Sequence, residues 1–449
     1  MLGLGLPALA AWQALKGWSP TTLFAAGEAG GVWDFTTLAN LYQDSAGTTP
    51  CTAVGQPIGK VLDTSGRGNH LTQSTSTKRP VLGRMPAGGV RNLLTYTEQI
   101  TTLPWVYYNS GNGAALSPIV APDGTTTAIG LDDTSGDGYY GVTTNAPITA
   151  EVSSTFSCYV KQGTNTTGLS VWLIGAGSNT YFQGTLNWVG GVPTASGWVA
   201  ESVGSGWYRV SFDFLAAAST SIAIYLLPCP TVTTETGSTY FWGVQLEIGS
   251  TATAYQKVGA AYDVTESGVA SVYTAYFDGV DDCLVSPSID FSGTDKMSVF
   301  AGFRKTSDAA RGMVAELSAT TASNNGSFAL TAPNAASATI VYESKGTALT
   351  DTSATIAAPA DSVIAAVSDI SADSNVLRRN GAEAESDTGD QGTGNFGNYP
   401  IYVGQRGAAS LPYKGFLSAL CTRGAATDAA LVTSMEKWMA ARTPGVTLP

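Results

Sequence analysis

Acidic side chains beside a predicted turn are the first residues whose type and spacing could do chemistry. Asp278, Asp281 and Asp282 surround an Asp278-Gly279 turn between two short apolar strands. Carboxylate oxygens are hard ligands of the kind that Ca²⁺ prefers, so this turn is a candidate metal site with Ca²⁺ as its ion. The alternative, which the sequence favours, is that the Asp-Gly pair forms the turn and the other acids are solvated.

A second acidic segment contains Asp132, Asp133 and Asp137 and carries the same two interpretations. We expect no catalytic residue in either segment. The two carboxylates of a glycosidase stand roughly 5 to 10 Å apart, whereas adjacent acids such as Asp281 and Asp282 point to opposite faces if they lie on a strand. The sequence also lacks the G-x-S-x-G, H-E-x-x-H and P-loop motifs.

Aromatic side chains in predicted loops could bind glycans. A sugar stacks its apolar face on an aromatic ring, while neighbouring amides and carboxylates bond its hydroxyls. The glycan-binding candidates are the aromatic residues next to such polar groups: Trp105, Tyr107, Tyr108, Tyr139, Tyr140 and Trp188. For any single one, a core or oligomer-contact position is the favoured alternative.

Short β-strands must position these residues. Between 92 and 258, turns rich in Gly, Asn, Ser and Thr recur at the spacing typical of β-sandwiches. Strands are predicted there at 155–161, 169–174, 207–214, 221–227 and 239–247. The segment therefore indicates a complete β-domain.

The chain after residue 262 again alternates short strands and turns and then changes to a helical pattern. Strands are predicted at 298–304, 312–317, 327–330, 339–343, 362–369, 376–379 and 401–404. Thr427 or Asp428 can cap a helix that ends before Pro444. Its apolar face consists of Leu431, Met435, Trp438 and Met439. We expect this C-terminal helix to pack against the edge of a sandwich.

Composition excludes several classes of protein. Of the 449 residues, 43% are hydrophobic and only 12% are charged, about half the usual charged fraction. A net charge of −12 argues against a nucleic-acid partner. The five cysteines contain no C-x-x-C pair, so neither a disulfide framework nor a zinc site is indicated, which fits folding in a reducing cytoplasm. The sequence contains no uninterrupted run of 18 apolar residues, so we expect no insertion into a membrane.

His70 is the single histidine of the chain. Its uniqueness rules out sites with two histidine ligands and leaves one possible Ser-His pair. After Gly68 and Asn69, a hydrogen-bonded loop position is the favoured interpretation, because an imidazole can satisfy two neighbouring backbone groups.

The first 30 residues are too apolar to be left exposed and too short to form a core. They read either as a peptide that docks on another protein or as a strap on their own domain. On the docking interpretation, a chain lacking residues 2–24 should stay folded and soluble but lose its attachment.

Several segments together resemble phage-encoded virion proteins that combine a concanavalin A-like (laminin-G-like) sandwich with a carbohydrate-binding-module-like jelly roll. The matching segments are LYQDSAGTTPCTAVGQPIGKVLDTSGRGNHLTQ (41–73), RPVL (79–82), RNLLTYTEQ (91–99), GWYRVSF (206–212), YFWGVQLEIGSTATAYQKV (240–258), YFDGVDDCLV (276–285), MSVFAGFRKTSDAARGMVAEL (297–317) and NYPIYVGQRG (398–407). In such proteins the SGRGNH and FDGVDD segments belong to one laminin-G-like domain.

The resemblance implies an all-β protein of two β-sandwich or jelly-roll domains, one inserted in the other, with a short C-terminal helix. Residues 1–30 are then an N-terminal docking segment, and residues 31–90 the first part of the laminin-G-like sandwich. Residues 91–258 are the inserted jelly roll. Residues 259–449 complete the sandwich and carry the helix.

The function that the resemblance implies is a non-enzymatic structural component of a tailed-phage virion, such as a tail fibre, head fibre or spike, that contributes to recognition of host-surface glycan and to adsorption. Its partners would be other virion proteins, through the N-terminal segment, and copies of itself, with a homotrimer favoured. It would be located in the virion, which is assembled in the host cytoplasm. The alternative is a glycan-degrading depolymerase or a secreted lectin-like adhesin.

Overall fold

The computed structural model of the chain describes residues 18–136, 138–175, 180–216, 221–230 and 235–449. The chain forms two compact units. Residues 90–269 form the inserted unit, and the residues before 90 and after 269 together form the flanking unit. Both consist almost entirely of β-strands, and the prediction of an all-β protein with one C-terminal helix is confirmed. No helix of the described residues is both long and apolar enough to span a membrane.

The chain contains the following strands. Those before residue 90 are β1 (Gly30–Asp34), β2 (Leu41–Tyr42), β3 (Lys60–Val61), β4 (Leu71–Thr72) and β5 (Val81–Pro86). Those of the inserted unit are β6 (Val106–Tyr108), β7 (Gly113–Ala115), β8 (Ile129–Asp133), β9 (Gly141–Pro147), β10 (Ser153–Gln162), β11 (Gly168–Gly175), β12 (Thr180–Val189), β13 (Val192–Thr194), β14 (Val199–Gly204), β15 (Trp207–Leu215), β16 (Ser221–Leu227), β17 (Gly237–Ile248), β18 (Gln256–Ala260) and β19 (Asp263–Glu266). Those that follow are β20 (Ser271–Asp278), β21 (Leu284–Asp290), β22 (Lys296–Lys305), β23 (Met313–Leu317), β24 (Ser327–Thr331), β25 (Thr339–Lys345), β26 (Leu349–Thr355), β27 (Ala360–Asp369), β28 (Ser374–Arg379), β29 (Ala382–Asp387), β30 (Asn398–Val403) and β31 (Lys414–Arg423).

The flanking unit is a sandwich of two antiparallel sheets. One has the strand order β5-β20-β31-β22-β27-β28-β29, and the other the order β2-β3-β4-β21-β30-β23-β24-β25-β26. Their facing sides share one core, to which Trp33, Phe277 and Val299 contribute from the first sheet and Phe328 and Tyr342 from the second. The two halves of the chain, on either side of the insertion, therefore build a single core.

Strand β31 is the centre of the first sheet. Along one edge it pairs with β22, and along the other with β20 and β1 in succession. Nine of its ten residues are buried, because one face lies over the sandwich core and the other is covered by the helix and the N-terminal residues.

Helix α1 (Ala429–Ala440) covers the outer face of this sheet. The Asp428 carboxylate accepts hydrogen bonds from the backbone N–H groups of Ala430 and Leu431, at 3.0 and 2.9 Å, and so caps the first turn. Met435 and Trp438 on its buried side contact Phe300 of β22 within one apolar cluster. The predicted cap and apolar face of this helix are both observed, but the helix lies on the outer face of the sheet and not at the sandwich edge where it was expected.

Residues 18–28, the strap, pack against the same cluster. Pro20–Phe24 forms a single 3₁₀ turn, and the side chains of Leu23 and Phe24 are buried. The Arg423 guanidinium donates to the Leu23 carbonyl and to the Glu28 carboxylate, each at 2.6 Å. The described part of the N-terminal segment is thus a strap on its own domain, while the docking prediction for residues 1–17 lies outside the described residues. A deletion reaching residue 24 would remove buried core side chains.

The inserted unit is also a two-sheet sandwich. Its sheets have the strand orders β14-β15-β10-β17-β8-β7 and β13-β12-β11-β16-β9-β6. Strands β18 and β19 form a hairpin. The core between the sheets contains Phe156, Val171, Phe212, Ile224 and Phe241. The sequence predicted an insertion at 91–258, and the compact unit spans 90–269.

Candidate functional site

The second sheet of the inserted unit, β13-β12-β11-β16-β9-β6, presents one face to solvent, and we call it the open sheet. Alternate residues such as Val142, Leu173 and Ile224 are fully buried and face the core. Because successive side chains of a strand point to opposite faces, the residues between them face outward. Gln183 and Asn145 on that outer face are exposed.

One row of side chains crosses five strands of the open sheet. The backbone register pairs Val106 with Thr143, Thr143 with Tyr225, Tyr225 with Trp172, and Trp172 with Gln183. Directly paired residues project to the same face, and adjacent strands are about 4.8 Å apart. The row is therefore about 19 Å long, and it places two adjacent rings, Tyr225 and Trp172, between the hydrogen-bonding side chains of Thr143 and Gln183.

Four aromatic residues meet on this face, and we call them the aromatic cluster: Tyr108, Tyr139, Trp172 and Tyr225. The ring of Tyr139 meets Trp172 edge-on with 4.4 Å between the ring centroids. Tyr225 lies 5.9 Å from Trp172 and 5.1 Å from Tyr108. Trp172 is only 9% exposed and forms the floor, while the three tyrosines are half-buried and face solvent.

Tyr139 lies in the loop before β9 and is held in place by Asn109, which follows β6. Asn109 adopts a left-handed backbone conformation with φ of 51°, and its side-chain Nδ2 donates to the Tyr139 carbonyl at 2.8 Å. Burial, together with the nearby Tyr108, raises the pKa of the Tyr139 phenol above its ordinary value. The hydroxyl therefore stays protonated at neutral pH and can both donate and accept hydrogen bonds.

The structure divides the six predicted glycan-binding residues. Tyr108 and Tyr139 belong to the aromatic cluster. Trp105, Tyr140 and Trp188 lie in the core of the inserted unit, at 2, 1 and 7% exposure, so they do not present a ring to solvent.

Tyr107 is exposed but stacks on Tyr140, 6.2 Å between centroids, on the opposite side of β6 from Tyr108. Sequence reasoning missed Trp172 and Tyr225. Alternation would have found both, since Trp172 stands between the core residues Val171 and Leu173, and Tyr225 between Ile224 and Leu226.

The three carboxylates of the predicted metal turn come together. One oxygen from each of Asp278, Asp281 and Asp282 lies within 4.8 Å of the others. Asp281 and Asp282 lie in the loop between β20 and β21 rather than on a strand. The expectation that adjacent acids here would diverge is therefore wrong, because it assumed extended backbone.

Asp282 is the buried member of this acidic turn, at 7% exposure. Burial, reinforced by the charges of Asp278 and Asp281, raises its pKa to about 7, although the Asp278 backbone N–H donates to its Oδ2 at 2.9 Å. Three carboxylates at this spacing suit a hard cation. Binding of Ca²⁺ at the turn stays a prediction.

The other predicted chemical groups have structural partners. Asp132 and Asp133 end strand β8, and Asp133 is buried and accepts from the backbone N–H groups of Ser135 and Tyr140, both at 3.2 Å. Asp137 lies outside the described residues. Nδ1 of His70 accepts a hydrogen bond from the Asp63 backbone N–H at 2.9 Å. His70 therefore stabilises its loop, as the sequence interpretation expected.

Comparisons with known proteins assign no family. No family model and no curated protein matches the chain. Among solved structures, a carbohydrate-binding module (CBM40) of a Ruminococcus gnavus sialidase bound to α2,3-sialyllactose matches 32% of this chain and 83% of its own, with 13% identity and a TM-score of 0.27.

The NanB sialidase of Streptococcus pneumoniae matches with 16% identity and a TM-score of 0.28, over 36% of this chain and 27% of that one. The receptor-binding domain of botulinum neurotoxin type G matches with 9% identity and a TM-score of 0.29, over 37% and 42%. All three TM-scores are too low for the function of any of these proteins to be transferred.

Proposed function

We propose that the chain is a non-catalytic structural component of a tailed-phage virion, of the fibre or spike type, and that its inserted unit binds glycan on the host surface. The aromatic cluster carries the glycan-binding part of the proposal. Its three half-buried tyrosines stand in and beside a row that also contains Thr143 and Gln183, and rings beside hydroxyls and amides are what sugar binding needs.

The virion part of the proposal rests on the resemblance of the matching segments. The low charged fraction of the chain agrees with it. All five cysteines are buried free thiols, which agrees with folding in the host cytoplasm. We propose a homotrimer attached to other virion proteins through the N-terminal residues.

Loss of one ring of the cluster should weaken glycan binding. Tyr225→Ala and Tyr108→Ala each remove a half-buried ring, and each should raise Kd by about ten-fold, equivalent to about 1.4 kcal/mol. Binding is measured on a glycan array and on whole host cells, with the bound glycan then titrated against each variant.

The matched control for these variants is Tyr240→Ala. Tyr240 is also half-buried but lies on β17, in the other sheet of the same unit. Its removal should leave glycan affinity unchanged. Equal affinity of the wild type and both cluster variants would contradict binding at the open sheet, and the absence of any bound glycan would contradict the glycan-binding function.

Removal of residues 2–17 should abolish attachment and leave the fold intact. The buried strap residues Leu23 and Phe24 are retained in this variant, so thermal unfolding should match that of the full chain. Incorporation into particles is measured by co-sedimentation with assembled virions. Normal incorporation of the shortened chain would defeat the docking role.

A depolymerase is the second candidate function, and the acidic turn is the observation that favours it. A buried carboxyl group whose pKa is raised to about 7 could act as a general acid, although the oxygens of the three carboxylates lie within 4.8 Å of one another, short of the roughly 5 Å that retaining glycosidases use. Sizing of host polysaccharide after incubation separates the two functions. If the wild type shortens the polysaccharide and Asp282→Asn does not, the depolymerase is supported. Binding without shortening supports the structural role.

A further inference from the structure

The open sheet contains no charged residue. Its six strands, β6, β9, β11, β12, β13 and β16, contain neither Asp, Glu, Lys nor Arg. The other sheet of the same unit carries both signs, for example Lys161 on β10 and Arg209 and Asp213 on β15. The two sheets share one sandwich, so the charge has been kept off one face selectively.

The cations of the inserted unit are all engaged away from the open sheet. The sequence between 90 and 269 contains only four basic residues. Their contacts are Arg91 with Glu266 at 2.8 Å, Lys257 with Glu98 at 2.5 Å, Lys161 with the Ser205 carbonyl at 2.9 Å, and Arg209 with the Thr253 carbonyl at 2.6 Å. None of them lies on a strand that could face a ligand on the aromatic cluster.

The inserted unit as a whole is acidic. The inserted unit holds twelve acidic residues against its four basic ones. An anionic ligand at the cluster would therefore meet a net-negative unit and no cation on the strands beneath it.

We propose that the open sheet binds an uncharged oligosaccharide and discriminates against sialylated, sulfated or uronic-acid-bearing glycans, an inference that rests on the proposed glycan-binding function. An acidic sugar laid on this face loses water from its anionic group and gains no ion pair in exchange. A neutral sugar loses only hydroxyl hydration, which the Thr143 hydroxyl and the Gln183 and Asn145 amides can replace. Stacking on the tyrosines is the same for both.

The test measures binding of the full chain to matched pairs of oligosaccharides. One member of each pair is a neutral glycan. The other is the same glycan with a terminal sialic acid, or with a sulfate or uronic acid on the sugar that binds. We expect the acidic member to bind at least about ten-fold more weakly, the effect of one desolvated and unpaired charged group. Because the net negative charge of the inserted unit adds a screened repulsion, the ratio of the two Kd values should shrink at 1 M NaCl.

A charge-adding variant tests the cause. Gln183→Arg places a guanidinium in the row beside Trp172, and it should narrow the Kd ratio of each pair by about three-fold or more. An unchanged ratio would overturn the assignment of selectivity to charge. Equal or tighter binding of the acidic member by the wild type would overturn the inference and leave the glycan-binding function standing, whereas no binding of either member would defeat both.

Discussion

Arg423→Ala should lower the free energy of unfolding of the flanking unit by about 3 to 5 kcal/mol, the usual effect of breaking a buried ion pair from one side. Arg423 is 9% exposed and donates to four acceptors: the Leu23 carbonyl, the Glu28 carboxylate, the Ala426 carbonyl and the Thr427 hydroxyl. Its loss leaves Glu28 without its cation and releases the strap from the sheet. Thermal and urea unfolding measure the effect.

The control for Arg423 is Lys437→Ala, which removes an exposed cation from helix α1 nearby and should cost less than about 1 kcal/mol. A second readout follows the strap itself. Trp18 packs against the buried cluster, so proteolysis between residues 18 and 28 should be faster in Arg423→Ala under native conditions. Unchanged stability together with unchanged proteolysis would show that the strap is held by apolar packing alone.

Asp282 should make the flanking unit less stable as the pH rises. Its pKa of about 7 in the folded state lies above the ordinary value of about 3.9 in the unfolded chain. The folded state therefore binds the proton more tightly, and this contribution is full below pH 4 and lost as the pH rises through 7. After allowance for solvent screening at a surface turn, the loss is on the order of 2 kcal/mol.

Asp282→Asn keeps an oxygen to accept the Asp278 backbone N–H but cannot ionise. It should remove most of the pH-dependent loss, so that the variant is more stable than the wild type at pH 8 and equal to it at pH 4. Urea unfolding across this range gives the slope. Glu383→Gln, at an exposed carboxylate on β29, is the control and should keep the wild-type slope.

Bound calcium should offset the loss of stability that rising pH causes in the flanking unit. A bound cation favours the charged carboxylates of the acidic turn, so Ca²⁺ at 100 times its Kd should add about 2.7 kcal/mol at pH 8 and far less at pH 4. Asp281→Asn and Asp282→Asn should both reduce the gain. If Ca²⁺ leaves Tm unchanged at pH 8, the turn holds no cation, and the interpretation of the Asp-Gly pair as a plain turn stands, with Asp282 buried rather than solvated.

Strands with one wet face were predictable from alternation. Tyr208, Val210, Phe212 and Phe214 indicated a strand at 207–214, and the structure has β15 at Trp207–Leu215. Helix α1 was predictable for a similar reason, since a capping Asp428 precedes a helical apolar stripe. In both cases the local pattern and the tertiary burial agree.

Strand β31 was not predicted, although β22 (Lys296–Lys305), which is equally buried, was predicted at 298–304. Strand β31, KGFLSALCTR, is buried at nine of ten positions, and a strand covered on both sides loses the alternation that marks it. Strand β12 was missed for another reason, because Gly184 interrupts its apolar pattern. The three acids of the turn were grouped as one candidate metal site and lie together, although Asp281 and Asp282 were expected to diverge. Trp172 and Tyr225 of the aromatic cluster were missed, because the burial of a ring depends on which face of a strand it occupies.

The position of β31 in the chain has a consequence for synthesis on the ribosome. Residues 90–269 are contiguous and can fold as soon as they emerge. Strands β1, β20 and β22 all pair with β31, which begins at Lys414 and is translated after all of them. The edges of these three strands that pair with β31 therefore stay open until β31 has been synthesised. Premature termination anywhere before residue 414 yields a chain whose inserted unit is folded but whose flanking strands have unpaired edges. Such a product is prone to aggregation and is the kind that cellular quality control removes.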